Sequence, residues 1–198
     1  MNDVIHHYDL LIDEGNDPVQ DPAELKAYMS LWDGEPLLAA LSLDGTQSVM
    51  EIGVGTGRLA VQIAPKCRHF TGIDISPKTI MRAGMNLADS PHVTLLCGDF
   101  MTAEFSQLFD VIYASLTFMH IPQKAEAIAK MAALLVPGGR VVLSLDKNQD
   151  EFIDYGTRRI RVYPDHPNDV AARMKAAGLN VYALSETEFA YIIAAGKS

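Results

Sequence analysis

From about residue 47 onward the chain alternates short apolar runs with stretches of helical period, and this alternation constrains the fold more than any other feature. The runs are SVMEI (48–52), HFTGID (69–74), VTLLCG (93–98), FDVIYAS (109–115) and RVVLSLD (140–146). Their apolarity is continuous rather than alternating, as strands buried on both faces require. Between them, SPKTIMRAGMNLA opens with Ser76 as a helix cap and Pro77 at the first helical position. A second helical stretch sets Ala125, Ile128, Ala129, Ala132 and Leu135 on one face and stops at Pro-Gly-Gly. Strand–helix–strand alternation of this kind predicts a mostly parallel sheet with helices on both faces.

The ends of the chain read differently. DPAELKAYMSLW predicts a helix capped by Asp21, with Pro22 and Glu24 in its first turn. Residues 147–167 read as irregular, residues 168–177 as a last helix stopped by Gly178. The two apolar runs that follow, separated by SETE, predict an antiparallel hairpin at the sheet edge. The expected division is a helical lid segment over 1–46 and one compact unit over 47–198.

Composition bounds the partners. The formal net charge is −9 in 198 residues, a field that opposes phosphate backbones and anionic lipid; neither nucleic acid nor membrane is expected. Cys67 and Cys97 lack the spacing of a disulfide framework or a zinc site, so no metal is expected either. The first residues lack the basic-then-apolar pattern of a secretion signal, and the cytoplasm is the expected compartment.

Directly behind the first run stands EIGVGTG, with Gly53, Gly55 and Gly57 where a strand turns into a helix. Glycine costs backbone entropy, so three together point to a ligand that approaches the backbone closely. In a doubly wound sheet this position lies beyond the carboxyl ends of the strands, where ligands bind. A dinucleotide fingerprint wants glycine or alanine where this chain has Arg58. That departure, with the acidic Glu51, argues against a nicotinamide-dependent oxidoreductase.

The spacing EIGVGTG, GIDIS (72–76) one strand later, CGDF (97–100) after the third run, FDVIYASLTFMHI (109–121) and LLVPGGRVVLSL (134–145) occur in the order found in the class I S-adenosylmethionine-dependent methyltransferases, which residues 45–196 resemble. The resemblance implies a Rossmann-like, doubly wound, seven-stranded mixed α/β sheet, mostly parallel with the last strand antiparallel. It implies S-adenosyl-L-methionine as cofactor, S-adenosyl-L-homocysteine as product and a small-molecule methyl acceptor as partner. By the same resemblance the glycine loop wraps the methionine part, Glu51 helps hold its amino group, and Asp74 accepts from the ribose hydroxyls. Ile75 packs on the adenine, Asp99 accepts from the adenine amino group, and Phe100 offers its backbone N–H. Ser115 joins the cofactor residues, and Tyr8, in HHYDLLIDEG, stands near the methionine carboxylate.

The acceptor side is less constrained. Residues 114–117 are Ala, Ser, Leu and Thr rather than the Asn-Pro-Pro-Tyr-like tetrad of relatives that methylate adenine or amide nitrogens. His120 is the candidate general base, or else a hydrogen-bonded histidine at a loop–helix junction. Arg158, Arg159 and Arg161 form either a solvated face or a clamp for an anionic acceptor. Trp32 is expected to pack the lid helix. A cofactor-binding module without catalysis uses the same motifs and is the alternative reading.

Overall fold

In the computed structural model, which describes residues 2–198, each apolar run becomes a strand: β1 (Ser48–Ile52), β2 (His69–Asp74), β3 (Val93–Cys97), β4 (Phe109–Ser115) and β5 (Leu135–Asp146). A two-stranded ribbon, β6 (Phe152–Asp154) and β7 (Arg159–Arg161), follows, and the chain ends in the hairpin β8 (Leu179–Glu186) and β9 (Ala190–Lys197). The sheet order is β3-β2-β1-β4-β5-β9-β8. β1 to β5 run parallel, while β9 is antiparallel to both β5 and β8. The seven-stranded mixed sheet implied by the sequence is therefore the fold.

Continuous apolarity has the expected cause, since each central strand feeds two cores. On β4, Ile112 and Ala114 face one side, with Ile128 and Met131 of α6 (Lys124–Leu134) and Val170 and Met174 of α7 (Pro167–Ala176). Val111 and Tyr113 face the other, with Leu37 and Leu41 of α3 (Gly34–Leu41) and with Ile63 of the four-residue α4 (Ala60–Ile63). Burying side chains such as Ile128 and Met131 contributes about 2 kcal/mol each. The buried face of α6 is Ala127, Ile128, Met131 and Ala132, whereas Ala125 and Ala129 are exposed. Alanine fits either face, and the large Ile128 and Met131 decide the rotation.

Ser76 caps α5 (Pro77–Asn86) by accepting from the Thr79 N–H, with Pro77 at its first position, as the sequence predicts. The N-terminal region holds more helix than the one expected. α1 (Asn2–Asp13) precedes α2 (Ala23–Met29), whose cap position is Pro22 rather than Asp21, and α3 follows. Trp32, after α2, packs its ring 4.6 Å from Phe189 and donates to Asp146 at 3.2 Å. The stretch expected to be irregular contains the β6–β7 ribbon, held by the pair Ile153–Ile160. No helix among the described residues is long and apolar enough to cross a membrane.

Candidate functional site

The strand order reverses between β1 and β4, so the connections leaving their carboxyl ends diverge and open a crevice. Gly53, Gly55 and Gly57 line the β1 side with φ of +75°, +57° and +95°, a region that side chains disfavour. Their environments differ. A Cβ on Gly53 would lie 2.0 Å from Thr117 Oγ1, so the loops after β1 and β4 touch there. A Cβ on Gly57 would lie 3.3 Å from Leu87, whereas one on Gly55 meets no atom within 4 Å. Gly55 thus leaves space beside the backbone.

The end of β2 pins this loop. Gly53 N–H donates to the Ile73 carbonyl at 2.7 Å, and Gly55 N–H to Asp74 Oδ2 at 3.0 Å. Asp74 Oδ1 accepts from the Ser76 N–H at 2.9 Å. Burial nevertheless dominates and raises the Asp74 carboxyl above its ordinary range. Ile75 is half-buried beside it. One strand over, Asp99 Oδ1 accepts from the Met101 N–H at 2.9 Å, and the Phe100 ring is buried with Phe105.

Glu51 is a strongly displaced carboxyl. It lies opposite Tyr113 in the β1–β4 register, and the Tyr113 hydroxyl donates to Oε2 at 2.8 Å. Burial pushes Glu51 up to about 8, against the smaller opposing pull of that hydrogen bond and of Arg58. Beside it stands Asp33, which no sequence motif announces and which caps α3 through the Gly34 N–H. Its carboxylate is almost fully buried and accepts both from the Arg58 guanidinium and from the Ser115 hydroxyl, the latter at 2.7 Å. Asp33 so ties the glycine loop to the end of β4. An Asp-Gly pair ahead of an apolar stretch was the only available signal, and it reads as an ordinary helix start.

α1 covers this end of the sheet. Asp9 accepts from Ser76 Oγ at 2.7 Å, on the N-terminus of α5. The Tyr8 hydroxyl lies 2.9 Å from His120 Nε2, in the 3-10 turn Phe118–His120 that follows β4. Burial raises the Tyr8 phenol and lowers His120 to about 4, so His120 is neutral near pH 7. His120 Nδ1 is buried without a partner among the described residues. Tyr8, Glu51, the glycines, Asp74, Ser115 and His120 are therefore gathered around the ends of β1, β2 and β4.

The three arginines do not converge. Arg158 turns to α1, donating from Nε to His7 Nδ1 at 2.8 Å and forking onto Glu14 at 2.7 and 2.8 Å. Arg159 and Arg161 lie on the exposed face of β7, over the rings of Phe152 at 4.5 Å and Tyr163 at 5.4 Å. Replacing Arg158 with Ala removes the bidentate hold on α1. We expect amide hydrogen exchange in residues 4–13 to quicken by about tenfold or more, with the sheet unchanged; unaltered exchange would mean that Asp9 and Tyr8 hold the helix alone.

Comparison with known proteins agrees with this geometry. Residues 49–139 match the family described as a methyltransferase domain. A methyltransferase of Mycobacterium tuberculosis, itself uncharacterized, is 32% identical over 110 residues, 55% of each chain; the chain spans about half the length of the curated relatives it matches. Among solved structures, magnesium protoporphyrin IX methyltransferase of Synechocystis, with S-adenosylhomocysteine bound, superposes with a TM-score of 0.76 at 17% identity, over 100% of this chain and 99% of that one. The N-methyltransferase NodS of Bradyrhizobium japonicum, also with S-adenosylhomocysteine, gives 0.68 at 20%, over 96% and 97%. Sheet order and crevice define a doubly wound domain that opens at the strand ends. With the methyltransferase-domain match over residues 49–139, they support a class I S-adenosylmethionine-dependent methyltransferase.

Proposed function

We propose that the protein transfers a methyl group from S-adenosylmethionine to a small-molecule acceptor, in the cytoplasm. The observation that carries this reading is the meeting of Glu51, the open backbone at Gly55 and Asp74 at one set of strand ends. The residues fit the cofactor: Gly55 leaves room for a ligand against the backbone, and the Glu51 and Asp74 carboxyls stand at the same strand ends. When bound, the cofactor supplies an electrophilic methyl group on a sulfonium.

The chain's own residues then bind, orient and exclude water. Glu51 would hold the ammonium of the methionine part, the loop Gly53 to Gly57 would wrap it, and Ser115 and Tyr8 would add contacts to it. Asp74 would hold the ribose hydroxyls, Ile75 and the Phe100 backbone N–H the adenine ring, and Asp99 its amino group. On the acceptor side Arg159 and Arg161, both with exposed guanidiniums, are candidates for an anionic group, and Arg158 holds α1. His120 is the candidate base through Nδ1, in the tautomer whose Nε2–H donates to Tyr8.

Saturating S-adenosylhomocysteine should raise the melting temperature by about 5–10 °C, and NAD(H) should not. Labelled methyl transfer to an acceptor panel then separates an enzyme from a binding module. His120→Gln should depress turnover while leaving S-adenosylhomocysteine affinity unchanged. Undiminished turnover between about pH 6 and 9 would remove His120 from the chemistry.

A further inference from the structure

Next to the crevice, the end of β5, the turn after β4 and the β6–β7 ribbon enclose a cavity of about 10 Å³, room for one group the size of a water or an ammonium. Three carboxylates line it, Asp146, Asp150 and Asp165, with apolar walls from Met119, Ile153 and Val162. Asp165 is only 4% exposed, and its two oxygens are not alike. Oδ2 accepts from Lys124 Nζ at 2.8 Å, while Oδ1 is buried with no donor among the described residues. A buried carboxylate oxygen left without a donor is costly, so the site lacks a hydrogen-bond donor.

The local charge says which kind. Lys124 is the cation bonded to this cluster, and its ammonium is already engaged with Asp165 and with the Phe118 carbonyl at 2.7 Å. Asp146 accepts from Trp32 and from the Asn148 N–H, both without formal charge. The Asp150 carboxylate is exposed and has no hydrogen bond among the described residues. The three carboxylates thus outnumber the two cations that act on Asp165, Lys124 and Arg173, and burial raises the Asp165 carboxyl. No group of three or more ligands is placed to hold a metal ion among the described residues, so a divalent cation does not suit the site. A compact organic cation that donates hydrogen bonds and carries an apolar stem does.

We propose that this cavity is the subsite for a protonated amino group of the acceptor, held by Asp165 Oδ1 and Asp150, with only the ammonium inside and the alkyl stem leading out past Met119, Ile153 and Val162. The inference rests on the methyltransferase reading for its biological sense, but the subsite itself is testable by binding alone. The probes are n-propylammonium chloride, n-propanol and sodium propionate, titrated into the labelled full chain near pH 7 and followed by amide resonances. Propylammonium should shift Asp146, Asp150, Ile153, Val162 and Asp165 saturably, and the other two probes should not. Asp150→Asn, at an exposed position that folding tolerates, should weaken that response about fivefold or more; Asp165→Asn should abolish it. No saturable response, or equal responses to propanol and propylammonium, would make this a water site only and overturn the proposal. S-adenosylhomocysteine titrated into the same sample reports on the cofactor separately. Its binding without an ammonium response overturns the subsite alone; an ammonium response without it supports the subsite while removing the methyl-transfer reading.

Discussion

Gly53→Ala should destabilise the protein by about 2–4 kcal/mol, or about 5–15 °C in melting temperature, while Gly55→Ala should cost about 1–2 kcal/mol and weaken cofactor binding. The two glycines share a positive φ and differ in what surrounds them. At Gly53 the added Cβ would lie 2.0 Å from Thr117 Oγ1 and 2.4 Å from Cγ2, so β1 and β4 must part at their ends. Adding Thr117→Ala removes both contacts and leaves the 2.7 Å approach to Thr117 Cβ and the φ of +75°. The double variant should therefore recover part of the loss, and recovery of none would assign the whole effect to backbone strain. At Gly55 the added methyl meets no protein atom within 4 Å. Affinity for S-adenosylhomocysteine measured by calorimetry should fall by at least about tenfold in a chain that still unfolds cooperatively. Wild-type affinity in Gly55→Ala would show that the ligand does not use this backbone, and the cofactor placement would fail.

What the sequence made legible follows from how local each signal is. The five parallel strands were readable because burial on both faces demands unbroken apolar runs, and Ser76-Pro77 announces a helix start without help from the rest of the chain. Glu51 and the glycines were readable because their meaning lies in spacing within seven residues. α1 was not, because its pattern mixes His6, His7 and Tyr8 with acids, and its buried side is defined by Arg158 and His120, more than 100 residues away. Asp33 was hidden for the same reason: its hydroxyl donor, Ser115, lies 82 positions later. The β6–β7 ribbon is three residues per strand, too short for a period to emerge. The rotation of α6 failed as a reading because alanines at 125 and 129 carry no preference that Met131 cannot override.

Glu51 should make both folding and cofactor binding depend on protons. Its carboxyl is raised from 4.5 to about 8, chiefly by burial. Between those values the folded chain holds a proton that the unfolded chain has released. Stability from this group is therefore intact below about pH 4.5, declines as pH rises, and is fully lost above about pH 8. The integrated cost is about 3–5 kcal/mol. Glu51→Gln keeps an acceptor for the Tyr113 hydroxyl and cannot ionise, so its stability should stay level across this window and exceed the wild type's at the alkaline end. Denaturant melts at a series of pH values decide this; parallel curves for the two proteins would mean that Glu51 is ionised in the folded apoprotein. An ammonium brought next to Glu51 reverses the preference and favours the carboxylate. Binding of S-adenosylhomocysteine near pH 7 should then release about one proton, read from calorimetry in buffers of different ionisation enthalpy. Glu51→Gln should lose that release together with about 10- to 100-fold in affinity, the worth of a hydrogen bond between charged groups. Binding to the wild type without proton release would move the amino group away from β1, leaving Glu51 as a structural partner of Tyr113.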